Sequence, residues 1–188
     1  MRFLPAAAAL CALAACTPPN ENAKSEPAGC AAQAERAWAA TPSVTLKISG
    51  TLAGADCPSA EATMVIADPA GKALYTHTMP IAPMTNTLFV DAKTQADYDK
   101  GLSDWIDPNF GAETKKTSDL PEWKDGQENA GEGDFPFMPE LSRADYAKLR
   151  AAGLPVLCHI QGGESTACIA YDEKAGAITK VGLQLFPG

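Results

Sequence analysis

Read for the spacing of apolar and polar side chains, the chain falls into regions of different character. Residues 3–15 are an apolar, Ala-rich run interrupted only by Pro5, and residues 17–29 contain no large apolar residue. From residue 30 onward, short periodic segments alternate with Gly-, Pro- and Asp-rich turns, the pattern of a folded unit. Residues 44–49 (Val-Thr-Leu-Lys-Ile-Ser) alternate without a slip and predict a half-buried strand. Residues 62–67 and 72–79 predict two more. Between them, Asp68, Pro69 and Gly71 stand where a type I turn favours them, which makes the pair a hairpin.

Helical spacing is predicted in three places. Residues 30–40 put Ala34, Ala37 and Trp38 on one face, with Pro42 as the stop. From Thr94 onward, Tyr98, Leu102, Trp105 and Ile106 form one apolar stripe, and Thr94 with Asp97 resembles a capping box with Asp in place of Glu. Residues 142–152 carry an N-cap (Ser142), an acid in the first turn (Asp145) and a Leu141–Tyr146 staple. Basic side chains near the end and Gly153 and Pro155 after it complete the pattern. Residues 87–90 predict a short strand. Residues 156–161, 165–172 and 178–186 predict a three-stranded meander. With Gly163 at the centre of its first turn, Cys158 faces Cys168 and His159 faces Ala167. The expected fold is α+β: antiparallel sheet from two hairpin or meander groups with about three short helices and two disulfides. It is expected to form one domain over 30–188.

The start of the chain has another purpose. Arg2 precedes the apolar run, which is too short for a membrane span of about 20 residues. The run closes on Leu13-Ala14-Ala15-Cys16, and all four positions resemble the lipobox of bacterial lipoproteins. That resemblance implies a signal peptide over 1–15 and cleavage before Cys16. It also implies diacylglycerol on the Cys16 thiol and acylation of the new amino group. Thr17 stands where Asp in that class commonly retains a protein in the inner membrane, so the resemblance points to the outer membrane, facing the periplasm. Residues 16–29, polar and holding three Pro, read as a flexible tether.

Charge and cysteine count sharpen this picture. With 15 Lys and Arg against 23 Asp and Glu, the net charge is −8. Nucleic acid is therefore an unsuitable partner, and the lipid on Cys16 must supply the membrane contact. Of six Cys, Cys11 leaves with the signal and Cys16 takes the lipid. The remaining Cys30, Cys57, Cys158 and Cys168 read as two disulfides of an exported protein. Three pairings are open; nearness in sequence favours Cys30–Cys57 and Cys158–Cys168. The chain has no CxxC and only two His, so no metal ligand and no cofactor is expected.

Residues 107–140 lack periodicity and hold nine acids against three Lys, with aromatics interspersed. A loop of that length is functional or unstructured unless pinned to the fold. Residues 125–134 lack the ligand spacing of an EF-hand. Phe135, Phe137 and Met138 lie among prolines that limit chain freedom, and these three are the candidate binding residues. No nucleophile elbow, HExxH, Walker loop or GxGxxG occurs, and no catalytic residue is assigned. The expected function is a lipid-anchored envelope protein, a non-enzymatic module that binds an envelope protein or small ligand. The alternative is a periplasmic hydrolase using carboxylates and His159.

Overall fold

A computed structural model describes residues 29–110, 114–131 and 135–186. Strands β1 (Cys30–Ala39), β2 (Thr45–Gly54), β3 (Glu61–Ala67) and β4 (Ala73–Pro80) form an antiparallel sheet in chain order. The alternation read in the sequence sets its faces. Leu46, Ile48 and Leu52 of β2 and Ala62, Met64 and Ile66 of β3 are buried on one side, while Thr45, Lys47 and Thr51 face solvent. Each large side chain removed from water in this way contributes about 1.5–3 kcal/mol. The β3–β4 turn is held by Asp68, whose carboxylate accepts the backbone N–H of Ala70 and Lys72, both at 2.9 Å. Gly71 closes the turn at φ 86°, a conformation open to glycine at no steric cost.

Two expectations change here. The helix predicted over 30–40 is strand β1. It pairs with β2 along its whole length, from Cys30↔Gly54 to Ala39↔Thr45, and a disulfide to Cys57 clamps its first residue. That ladder and the burial of Trp38 outweigh the helix preference of Ala, which is at most about 0.7 kcal/mol per residue. The strand predicted over 87–90 is a turn. After a 3₁₀ turn (Ala82–Met84), the N–H groups of Thr87, Leu88 and Phe89 all converge on the Met84 carbonyl at 3.0–3.2 Å. Phe89 is thereby buried against Gly101, where a Cβ would come within 2.5 Å of its ring.

Helix α1 (Gln95–Trp105) has the expected capping box. The Thr94 hydroxyl accepts from Asp97 N, and the Asp97 carboxylate accepts from Thr94 N at 2.8 Å. Donors to that carboxylate, first Lys93 N, then Thr94 N and the Thr94 hydroxyl, hold the Asp97 carboxyl below its usual pKa. The helix lays Leu102 and Ile106 over β2 at Gly50, where a Cβ would meet Ile106 at 2.9 Å.

The second sheet has the order β5-β8-β7-β6, from β5 (Phe137–Pro139), β6 (Val156–Ile160), β7 (Ser165–Asp172) and β8 (Ala177–Leu185). The meander is as expected, with Cys158↔Cys168 and His159↔Ala167 in register. Strand β5 is an addition, taken from the segment that showed no periodicity. It fits because β8 has Gly182, where a Cβ would lie 2.3 Å from the Met138 carbonyl. Residues 117–121 of that segment are pinned by α2 (Arg143–Ala152) and the turn after it. Tyr146 donates to Pro121 O at 2.8 Å and Arg150 to Leu120 O at 2.9 Å. Buried Thr117, in a 3₁₀ turn (Thr117–Asp119), donates its hydroxyl proton to Leu149 O and accepts from Leu154 N. The described residues thus hold two α-helices where three were expected, and the architecture is α+β.

The sheets share a core. Leu46, Ile48, Met64 and Ile66 pack with Leu157, Ile169 and Tyr171 of the second sheet. The other face of the second sheet carries a smaller core of Phe137, Tyr146, Val156, Cys168 and Val181. Both disulfides join the pairs favoured by sequence, with Cα separations of 4.7 Å for Cys30–Cys57 and 4.0 Å for Cys158–Cys168. Among the described residues no helix is long and apolar enough to cross a membrane.

Candidate functional site

Packing the sheets brings both histidines together. His77 on β4 and His159 on β6 have ring centroids 5.1 Å apart, with Trp105 of α1 6.3 Å from the first and 6.1 Å from the second. His159 is 3% exposed. Its Nδ1 lies 3.3 Å from Ile160 O, and because a carbonyl only accepts, Nδ1 carries the proton. Nε2 is left to accept from the Tyr75 hydroxyl at 3.1 Å. The same Ile160 carbonyl takes the Trp105 indole N–H at 2.8 Å. Burial, then the His77 charge, lowers the His159 pKa to about 4. Burial, then Lys180, lowers that of His77. Tyr75 is pushed up to about 12 by burial and by Glu140. At neutral pH the cluster is therefore an uncharged network. It leaves His77 Nε2 buried without a hydrogen-bond partner, as is Gln161 Oε1.

Beside this cluster, the β6–β7 hairpin floors a groove made of two adjoining clefts. One, of about 230 Å³, is lined by Trp105, Asp107, Phe110, His159, Ser165 and Phe186 among others. The other, of about 440 Å³, is lined by Leu120, Pro121, Phe135, Phe137, Gln184 and Phe186 among others. Cys158, Thr166 and Phe186 belong to both. Three phenylalanines on the rim are open to solvent: Phe110 at 44%, Phe135 at 58% and Phe186 at 45% exposure. The Phe135 and Phe186 rings lie 5.9 Å apart. Their backbones are fastened, since the Gln184 amide donates to Phe135 O at 2.7 Å, Leu185 N to Pro136 O at 3.0 Å, and Phe186 N to Glu164 O at 2.8 Å.

The candidates from sequence separate in this geometry. Phe135 and Met138 are exposed, whereas Phe137 is 1% exposed and stands 5.9 Å from the Tyr146 ring in the smaller core. Phe137 thus meets the groove from its buried side. Cys30, Cys57, Cys158 and Cys168 are all in disulfides. Cys16, the signal and the tether up to residue 28 lie outside the described residues. Asp107, His159 and Ser165 line one cleft, a set of residue types used by hydrolases. Both imidazole nitrogens are nevertheless engaged, by the Tyr75 hydroxyl and the Ile160 carbonyl. No cluster of three or more His, Cys, Asp or Glu suited to a metal occurs among the described residues. Phe110 and Phe186 were missed from sequence because each stands alone at the end of a segment, with no periodic partner.

No protein-family model, no curated protein and no solved structure matches the chain.

Proposed function

We propose that the chain is a lipid-anchored protein of the bacterial cell envelope whose folded part is a non-enzymatic binding module. Cys16 holds it to the membrane, with the outer membrane favoured by Thr17, and the folded part faces the periplasm. The observation that carries this reading is the groove with Phe110, Phe135 and Phe186 exposed along its rim. Exposed large aromatics gathered at a concave site favour recognition of an apolar group. Backbone bonds already fix the rim, so little ordering entropy opposes binding. The disulfides suit an oxidising compartment. The hydrolase reading draws less support, because an imidazole with a pKa near 4 and both nitrogens engaged is a weak general base at neutral pH.

The test uses Nile red, a neutral apolar dye, on the mature chain. The wild type should enhance its fluorescence. Phe135→Ser with Phe186→Ser should abolish the enhancement while leaving the melting temperature within a few degrees of wild type. Enhancement that survives the double change would place the apolar site elsewhere and remove the basis of the reading.

A further inference from the structure

The lining of the groove has a one-sided charge. Among the described residues no Lys or Arg lines either cleft, while Asp107 lines the first. Glu164 is exposed at the hairpin tip between Gly163 and Ser165, both of which line that cleft, and its carbonyl holds Phe186 N. Several other acids are matched by cations: Asp104 by Lys100, Asp125 by Arg143, Glu140 by Lys180 and Asp145 by Lys148. Asp107 and Glu164 have no such partner among the described residues. Among the described residues the Asp107 carboxylate accepts only the Asn109 backbone N–H, at 2.9 Å. The molecule as a whole carries −8. An apolar trough with unpaired carboxylates at one end, on an acidic protein, attracts cations over distances up to a Debye length, about 8–10 Å at physiological salt.

We propose that this groove takes a cationic polypeptide segment, seating one apolar side chain against the paired rings of Phe135 and Phe186 with its Lys or Arg beside Asp107 and Glu164. The inference rests on the binding-module reading and narrows it to a basic protein or peptide partner. The close rings supply the apolar contact, and aromatic faces also attract Lys and Arg head groups. An anionic ligand would meet Asp107 and Glu164 with no cation in the lining to offset them.

The experiment uses three amidated pentapeptides on the mature chain: Lys-Lys-Phe-Lys-Lys, Glu-Glu-Phe-Glu-Glu and Lys-Lys-Ser-Lys-Lys. Binding is followed by chemical-shift perturbation. The first should bind roughly tenfold or more tightly than either of the others, and should weaken as salt rises. Glu164→Gln, at an exposed position, should reduce both its affinity and its salt dependence, and Phe135→Ser with Phe186→Ser should remove the shifts at the groove. Equal binding of the Ser peptide would reduce the effect to unspecific charge attraction and overturn the proposal. Equal binding of the Glu peptide would overturn it too, yet leave an apolar binding module standing. Failure of Nile red to bind the wild type would instead remove the module reading itself. If the Phe changes lower the melting temperature, the peptide ranking and the Glu164→Gln result still decide the matter.

Discussion

Acidification should weaken the fold before the carboxylates titrate, and the buried imidazole is the reason. His159 has a pKa of about 4 in the folded state against 6.5 when unperturbed. Between those values the unfolded chain binds a proton that the folded chain refuses, so stability rises with pH across this window and is lost as pH falls through it. At 1.36 kcal/mol per pH unit, the full window is worth about 3 kcal/mol. The linkage relation gives a loss of about 1.2 kcal/mol at pH 5.5 and about 1.8 kcal/mol at pH 5.0 relative to neutral pH. His77 is depressed too and adds a loss of the same sign. Asp97, Asp119 and Asp145 are held below 3.8, so their contribution is present above that value and is lost only below it. The assay is urea unfolding followed by circular dichroism at pH 7.0, 5.5 and 5.0, on the wild type and on His159→Leu. The variant loses the Tyr75 hydrogen bond and should be less stable at pH 7, by about 1–3 kcal/mol, but its loss between pH 7 and 5 should shrink to the His77 share. A wild type equally stable at pH 7 and pH 5, or a variant with an unchanged slope, would refute the reasoning.

The two phenylalanines of the acidic segment should part company. Phe137→Ala should cost about 3–5 kcal/mol in urea unfolding, because it empties the smaller core, whereas Phe135→Ser should cost less than about 1 kcal/mol; similar losses would contradict the assigned burial. Replacing Cys30 and Cys57 together should cost about 3–4 kcal/mol, and Cys158 with Cys168 about 2–3 kcal/mol, in proportion to loops of 27 and 10 residues; non-reducing peptide mapping of the wild type should return those pairs. Cys16→Ser should release the chain into the soluble fraction and block lipid labelling, since a hydroxyl cannot form the thioether; unchanged membrane association would remove the lipid anchor from the reading.

What sequence could show here divides along the range of the interactions involved. The Asp68 turn and the Thr94 and Ser142 caps are formed by groups within four residues of one another, and each was legible. Strand β1 was not, because Ala occupies both parities. Ala32 faces inward while Ala31, Ala37 and Ala39 face outward, so hydropathy does not alternate and the helical spacing of Trp38 looks sufficient. Its identity is decided by β2 and by Cys57, which lie outside any local window. Strand β5 has three residues and exists because Gly182, more than forty positions later, admits it. The same limit governs the site. Tyr75 and His159 are 84 residues apart, and nothing near either one announces the other. From sequence His159 entered as a candidate of the hydrolase alternative, and its hydrogen bonds give it a structural part. They also say why it must be buried there. It is the acceptor for a Tyr75 hydroxyl and the donor to a carbonyl already shared with Trp105, so the ring joins β4 to β6 and the Ile160 carbonyl joins β6 to α1. That junction borders the groove, and the cleft lined by Trp105 and His159 ends on Phe110 and Phe186. Protonating His159 would therefore disturb the wall against which the rim aromatics are set, and because the folded chain takes that proton only near pH 4, Nile red enhancement should hold through the window in which stability falls and drop as pH approaches 4.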